Sequence, residues 1–406
     1  MAPLQVRREE LLAQLMQNSR TVRPAIRGSF SGEVLSSAEF AEAEYPREWL
    51  VEEFMVVGEP AIWGGEKKSL KTSIAIDLAV SLGASSTESR FLDRFDVPRR
   101  KRVLMLSGES GAATIQETVR RICHQRSISM SDLSVDWGFT LPRFTSSDDL
   151  EALARVIRDK GEQVVIIDPL YLCLLAGNTD LQAQNLFHIG PLLRDVSQAC
   201  LGAGATPVLL HHAVKTRNPK HTHQPLDLGE LSFAAMGEFA RQWVLLSRRA
   251  VFDPEDPMGQ HRLWMSVGGS AGIHGLWGVD VMEGQLRRDF GGRRWDVTVM
   301  SAESARQQGA EAAQCRRERR VDGQAAHDDA QILEILARHP DGEVQTTLAR
   351  EARFSHGKAR TVLARLVASR RIEQCNFIRD NSVRTFSGYR LSHGIDEAHN
   401  ISSNDG

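Results

Sequence analysis

Gly64-Gly65-Glu66-Lys67-Lys68-Ser69-Leu70-Lys71-Thr72-Ser73 is the stretch on which the fold turns. It leaves a short apolar run, Ala61-Ile62-Trp63, and opens an amphipathic one over 72–82 with Ile74, Leu78 and Leu82. A strand, a glycine turn and a helix in that order set consecutive backbone N–H groups at a helix N-terminus, which makes a cradle for anions. Gly65, Lys71 and Thr72 keep the spacing G-x-x-x-x-G-K-[ST], in which the lysine neutralises phosphate charge and the hydroxyl binds Mg²⁺. Gly64, Gly65, Lys68, Ser69, Leu70, Lys71, Thr72 and Ser73 are therefore the candidate ATP-binding residues, with Thr72 a candidate metal ligand. One position departs from the pattern: Leu70 stands where the second glycine belongs. Its N–H still serves the cradle if the backbone there is right-handed. At positive φ a leucine carries roughly 1–2 kcal/mol of strain. A lysine-rich surface loop ahead of a helix would hold the same residues, so the motif's partners decide.

Those partners lie downstream. Apolar runs at 102–107, 163–168 and 206–211 alternate with helical patterns at 114–125, 150–160 and 186–202. Continuous Val/Ile/Leu strands between helices predict a parallel sheet buried on both faces. Val164-Val165-Ile166-Ile167-Asp168 ends on a carboxylate, with Pro169 stopping the ladder, and Asp168 is thereby a candidate ligand of Mg²⁺, directly or through water. The strand at 102–107 runs into Gly108-Glu109-Ser110. Strand C-termini face the ligand crevice of an open α/β sheet, so Glu109 is placed to orient or deprotonate a water. The strand at 206–211 delivers His211 and His212 to the same crest, where one of them, His212 the candidate, could sense a terminal phosphate. Four further runs, 243–247, 262–267, 276–282 and 295–299, follow without helices between them and predict an antiparallel extension of the sheet.

Together, the phosphate loop, Glu109, Asp168 and the His211-His212 pair with its following loop resemble the RecA-like ATPases. The resemblance is nearest to the RepA-like plasmid replicative helicases and their DnaB-like relatives, and covers roughly residues 47–290. It implies a hexameric ring of identical subunits with ATP between neighbours and an arginine supplied in trans. Arg241 lies where such helicases place that finger, with Arg248 and Arg249 as competitors. It also implies loops that touch DNA. The loop over 214–230 is long and polar and carries Lys215, Arg217, Lys220, His221 and His223, suited to tracking phosphates without reading sequence. Residues 171–186 are the candidate for a second loop.

The last compact unit spans 326–392. Helical patterns at 330–339, 346–352 and 356–370 precede a predicted hairpin, 372–378 with 383–391, turned by residues 379–382. Three helices and a hairpin resemble a winged helix. Between residues 346 and 392 there are ten basic and three acidic side chains. Lys358 and Arg360, at the start of the third helix, are the candidate DNA contacts, because that helix enters the major groove in helix-turn-helix proteins. The fold class expected is thus α/β: a RecA-like core at 45–300, mostly parallel with an antiparallel extension, plus a small winged-helix α+β domain. An N-terminal arm at 1–44 with a short amphipathic helix near 9–17, a linker at 301–325, in part helical, and a polar tail at 393–406 complete the organisation.

Composition narrows the function. The chain has 406 residues, 41% hydrophobic and 25% charged, with 50 Lys+Arg against 52 Asp+Glu, so a protein that coats nucleic acid by its overall charge is excluded. Its five scattered cysteines form no CxxC pair, and neither a leader nor an apolar span is read, so a cytoplasmic protein with no membrane partner is expected. Three functions compete. An ATP-driven motor on single- or double-stranded DNA, such as a replicative helicase of a plasmid, phage or mobile element, accounts for the loops and the basic module. A DNA-binding regulator switched by ATP without unwinding accounts for Leu70 and for the lack of a primase module. A small-molecule kinase leaves the C-terminal module unexplained.

Overall fold

The computed structural model describes residues 34–86, 88–175, 182–214, 222–289, 291–378 and 383–392. The helix expected near 9–17, the cations Lys215, Arg217, Lys220 and His221, the turn at 379–382 and the tail at 393–406 lie outside the described residues. The chain divides into two compact units, Met1–Ala305 and Arg306–Gly406.

The described part of the first unit opens with a capped six-residue helix, α1 (Ser37–Glu42), and a small hairpin of β1 (Trp49–Val51) and β2 (Met55–Val56). Strand β3 (Ala61–Gly65) then leads through the phosphate loop into α2 (Lys71–Gly83). A second small hairpin, β4 (Arg90–Phe91) with β5 (Phe95–Asp96), precedes β6 (Val103–Ser107), α3 (Ala112–Gln125) and β7 (Val135–Gly138). Next come α4 (Ser147–Lys160), β8 (Val164–Asp168), α5 (Leu170–Leu175), α6 (Leu186–Gly202), β9 (Thr206–His212) and α7 (Met236–Phe239). Strands β10 (Gln242–Arg248), β11 (Gln260–Gly269), β12 (His274–Met282) and β13 (Asp296–Ser301) close the unit.

Nine strands form one sheet in the order β13-β12-β11-β10-β3-β9-β8-β6-β7. From β10 to β7 all pairings are parallel; from β10 to β13 they are antiparallel. The expected α/β class, a mostly parallel sheet with an antiparallel extension, is therefore what the chain adopts. Alternate side chains of each central strand feed two cores. Val164 and Ile166 of β8 point into one, with Trp63, Ile74 and Leu78; Val165 and Ile167 point into the other, with Ile62, Leu193 and Leu209. Double-sided burial is why these strands read as unbroken apolar runs.

Local signals set the helix bounds. Ser146 caps α4 by accepting from the Asp149 amide, Asp148 and Asp149 sit in its positive first turn, and Gly161 ends it at φ +68°. Residues 171–175, expected to belong to a loop over 171–186, lie instead in α5, so Tyr171 is helical. The run Leu-Tyr-Leu-Cys-Leu-Leu of α5 packs Leu170, Cys173 and Leu174 into the second core.

The second unit holds most of α8 (Ala302–Ala337), then α9 (Gln345–Glu351), α10 (His356–Ala368) and an antiparallel hairpin of β14 (Ile372–Ile378) and β15 (Thr385–Leu391). The stretch at 301–325 is helical almost throughout and continuous with the helix expected at 330–339, giving 36 residues in one element. Ile332, Ile335, Leu336, Leu348, Val362, Leu363, Leu366 and Ile372 form this unit's own core. Among the described residues no helix is long and apolar enough to cross a membrane.

Candidate functional site

Register brings the site together. Gly65, the last residue of β3, pairs with His212 on one side and Leu246 on the other, and Ser107 of β6 pairs with Asp168 of β8. Five parallel strands thus end along one crest, with the phosphate loop at the point where the chain turns from β3 into α2. Gly65 has to be glycine: a Cβ there would meet the Leu246 carbonyl at 2.7 Å and Ser69 Oγ at 2.8 Å.

The loop is closed by its own side chains. Lys71 Nζ donates to the carbonyls of Gly65 at 3.0 Å and Glu66 at 2.8 Å, and Ser69 Oγ donates to Glu66 at 2.8 Å. Ser69 is fully buried, while Lys67 and Lys68 are exposed. Lys71 is only 7% exposed. Burial pulls its ammonium down to about 8, against the opposing pull of Asp168, Glu109 and Glu66. Desolvation likewise pushes the Asp168 carboxyl up, with the Thr72 hydroxyl bond and the Lys71 charge working the other way. Thr72 Oγ1 donates to Asp168 Oδ2 at 2.5 Å. These two hard oxygens at the mouth of an N–H cradle suit Mg²⁺, which keeps few protein ligands and shares its shell with phosphate. Thr72 and Asp168 would hold the metal; the cradle and Lys71 would hold the phosphates.

Leu70 caps α2 at φ +60° and ψ 22°. The left-handed case is the one realised, so Leu70 carries the strain a glycine would avoid. Its side chain packs against the first core, and its carbonyl accepts from the Ile74 amide at 2.9 Å. Apolar packing therefore offsets part of the strain.

Glu109 is exposed on the bend after β6, and the Tyr171 hydroxyl donates to its Oε1 at 2.6 Å. That bond to Glu109 holds the Tyr171 phenol up at about 12. The Tyr171 ring also lies 5.8 Å from that of His212. Tyr171 thus connects Glu109, the Asp168 strand and His212, a role no sequence spacing announces. The two histidines differ. His211 is buried, its Nε2 bound by the Ser232 carbonyl at 2.7 Å and hydroxyl at 2.9 Å, and desolvation depresses it to about 4. His212 is half-buried, and burial followed by the Lys71 charge depresses it too. Its Nδ1, like that of His211, is buried with no hydrogen-bond partner among the described residues, so what separates the two is the exposure of His212. His212 is accordingly the one that fits a phosphate-sensing role.

The arginines separate. Arg248 closes on its own phosphate loop, its Nη2 donating to the Lys68 carbonyl at 2.6 Å and its amide to Glu66 Oε2 at 2.9 Å. Arg249 is buried in an ion pair with Asp280 at 2.5 Å. Arg241 is exposed immediately before β10, its amide donating to the Pro60 carbonyl at 3.3 Å just ahead of β3. At about 3.3 Å per residue it sits roughly 20 Å from its own phosphate loop, at the other end of the sheet. It is not brought to this chain's own site.

Of the candidate DNA contacts, the described part of the 214–230 loop is anchored. His223 Nδ1 meets the Arg248 carbonyl at 3.3 Å, and the Trp264 indole donates to the His223 carbonyl at 2.8 Å. In the second unit Lys358 turns onto Asp328 at 2.9 Å and over the Phe354 ring at 4.1 Å, whereas Arg360 is exposed.

A protein-family model described as an AAA domain matches residues 31–218, which take in the phosphate loop, Glu109, Asp168 and both histidines. No curated protein matches the chain. With that match lying over this geometry, the chain carries a P-loop ATPase domain, a nucleotide-hydrolysing module.

Proposed function

We propose that this ATPase is a motor on DNA of the replicative-helicase type, working as a hexameric ring with ATP between subunits. The observation that carries the reading is the link through Ser232. Its hydroxyl donates to the His212 carbonyl at 2.6 Å and meets His211 Nε2 at 2.9 Å, and the Val214 amide bonds the Glu230 carbonyl at 2.9 Å. The residues that face the phosphates are thereby tied to both stems of the loop bearing Lys215, Arg217 and Lys220. A change at the nucleotide is transmitted to a cationic loop in one step, which is what a motor on a polyanion requires. The exposed Arg241, remote from its own phosphate loop, is in keeping with a finger that serves a neighbour.

The charge of residues 346–392 favours a second reading, an ATP-switched DNA-binding regulator with no unwinding. Strand displacement on a forked duplex separates the two. The motor predicts displacement that requires ATP and disappears in Lys71→Ala. ATP-dependent, site-specific binding without displacement would sink the motor and leave the regulator.

A further inference from the structure

Helix α8 has no apolar face over its first two-thirds, which needs explaining, because helices of this length are normally held by packing. Residues 313–324 are all exposed. Gly309 and Gly323 lie within the helix, and each faces open space. The charges are sorted by side. At about 100° per residue, Arg316, Arg317, Arg319 and Arg320 fall within roughly 160° of the circumference, while Glu311 and Glu318 fall on the opposite side and Asp322 borders the arginine face, three residues on from Arg319. The acidic side is satisfied locally, with Gln307 donating to Glu311 at 3.0 Å and Gln314 to Glu318 at 2.9 Å. No carboxylate among the described residues pairs with any of the four arginines.

Such a face opposes its own helix. Arg316 repels Arg319 and Arg320 at the i,i+3 and i,i+4 positions, where like charges destabilise. Elsewhere in the same unit the chain does neutralise basic side chains against this helix: Lys358 meets Asp328 at 2.9 Å and Arg365 meets Asp329 at 2.6 Å. The four arginines at 316–320 have no such partner among the described residues. Four guanidinium groups clustered within about one and a half helical turns suit a phosphate backbone, and neutralising them releases counterions and removes the repulsion. A protein partner fits less well, since the face offers no apolar anchor and exposed ion pairs alone contribute little.

We infer that the Arg316–Arg320 face of α8 is a sequence-independent contact for a nucleic-acid backbone. The inference rests on the nucleic-acid reading of the function and extends it to a surface outside the ATPase core and outside α10. The test uses the full chain and fluorescence anisotropy with labelled oligo-dT and with a duplex of unrelated sequence, each titrated across a KCl series. The variant R316Q/R317Q/R319Q/R320Q should bind at least tenfold more weakly at low salt, with the slope of log K against log salt shallower by roughly 2–3. The four-lysine counterpart should restore most of the slope. Far-UV circular dichroism without nucleic acid should show the glutamine variant no less helical than the parent, because repulsion has been removed. If the parent binds nucleic acid and the glutamine variant matches it in affinity and slope, the inference is overturned while the nucleic-acid reading stands. If the glutamine variant changes oligomeric state and nothing else, the face belongs to a protein partner and the inference is overturned. If the parent binds neither probe, the nucleic-acid reading falls and takes this contact with it.

Discussion

The Thr72 hydroxyl donates to Oδ2 of Asp168 across 2.5 Å, joining the first turn of α2 to the end of β8. Both oxygens sit where one Mg²⁺ would take them. Residues that serve one ion act as a unit, and their losses do not add. Thr72→Ala and Asp168→Asn should each lower ATP turnover by at least about 100-fold, the scale of losing a metal's charge stabilisation. The double variant should be close to the worse single one. Steady-state turnover across a Mg²⁺ titration measures this, and fully multiplicative losses would show that the two residues act separately.

Leu70 makes a different test possible. Alanine and glycine both delete the packing of the leucine side chain, but only glycine relieves the left-handed backbone at φ +60°. At right-handed φ inside a helix alanine is the more stable choice. Here Leu70→Gly should be more stable than Leu70→Ala by about 1 kcal/mol, the cost of a Cβ at positive φ. Urea unfolding of the two variants gives the difference directly, and the opposite order would mean that Leu70 is not strained.

What could be read in the sequence follows from burial. Strand β8 was legible because both its faces are buried and every residue but the last is apolar. The edge strand β7, Val135-Asp136-Trp137-Gly138, is only half-buried and short, so it shows no run and was missed. The phosphate loop, Glu109, Asp168 and the histidine pair were legible because each ends or follows a strand. Ser232 and Tyr171 were not, since each meets its partner across 21 and 62 residues respectively, and no local pattern encodes a contact of that range. The 301–325 stretch lacked an apolar period. Its run of Ala, Gln, Glu and Arg, all good helix formers, was the available signal.

A buried glutamate beside a half-buried aspartate sets a pH dependence. Asp136 of β7 and Glu162 before β8 lie together, and Glu162 is only 3% exposed. Two carboxylates have no donor between them unless one carries a proton. Burial, then the Asp136 contact, pushes Glu162 up to about 8, while the same contact lowers Asp136. The folded-state pKa of Glu162 lies above its ordinary value, so the folded chain holds a proton that the unfolded chain releases. That contribution is complete below the ordinary value of 4.5 and is lost as pH rises through about 8. Glu162→Gln keeps the donor and cannot ionise. It should match the parent near pH 5 and exceed it by about 1–2 kcal/mol near pH 9, one pKa unit being worth about 1.4 kcal/mol. Thermal unfolding across pH tests this; equal slopes for both proteins would refute the shared proton.

The three arginines around β10 should fail in three distinguishable ways. Removing Arg249 leaves Asp280 buried and unpaired, and breaking a buried pair costs about 3–5 kcal/mol. Arg249→Ala should therefore lose activity through stability, visible as a lowered Tm. Arg248 ties the Lys68 carbonyl to the end of β10. Arg248→Ala should loosen the phosphate loop and weaken ATP binding several-fold with little change in Tm. Arg241 is exposed, and its side chain makes no hydrogen bond or ion pair among the described residues. Arg241→Ala should keep Tm and nucleotide affinity, yet lose about 10³-fold or more in turnover if it completes a neighbour's site. A mixing experiment isolates that role. Arg241→Ala subunits keep an intact phosphate loop and Lys71→Ala subunits keep an intact finger, so blending the two inactive variants should regain turnover wherever a Lys71→Ala subunit's Arg241 faces an Arg241→Ala subunit's loop. Full turnover by Arg241→Ala alone, or no recovery on mixing proteins shown to co-assemble, would remove Arg241 from catalysis.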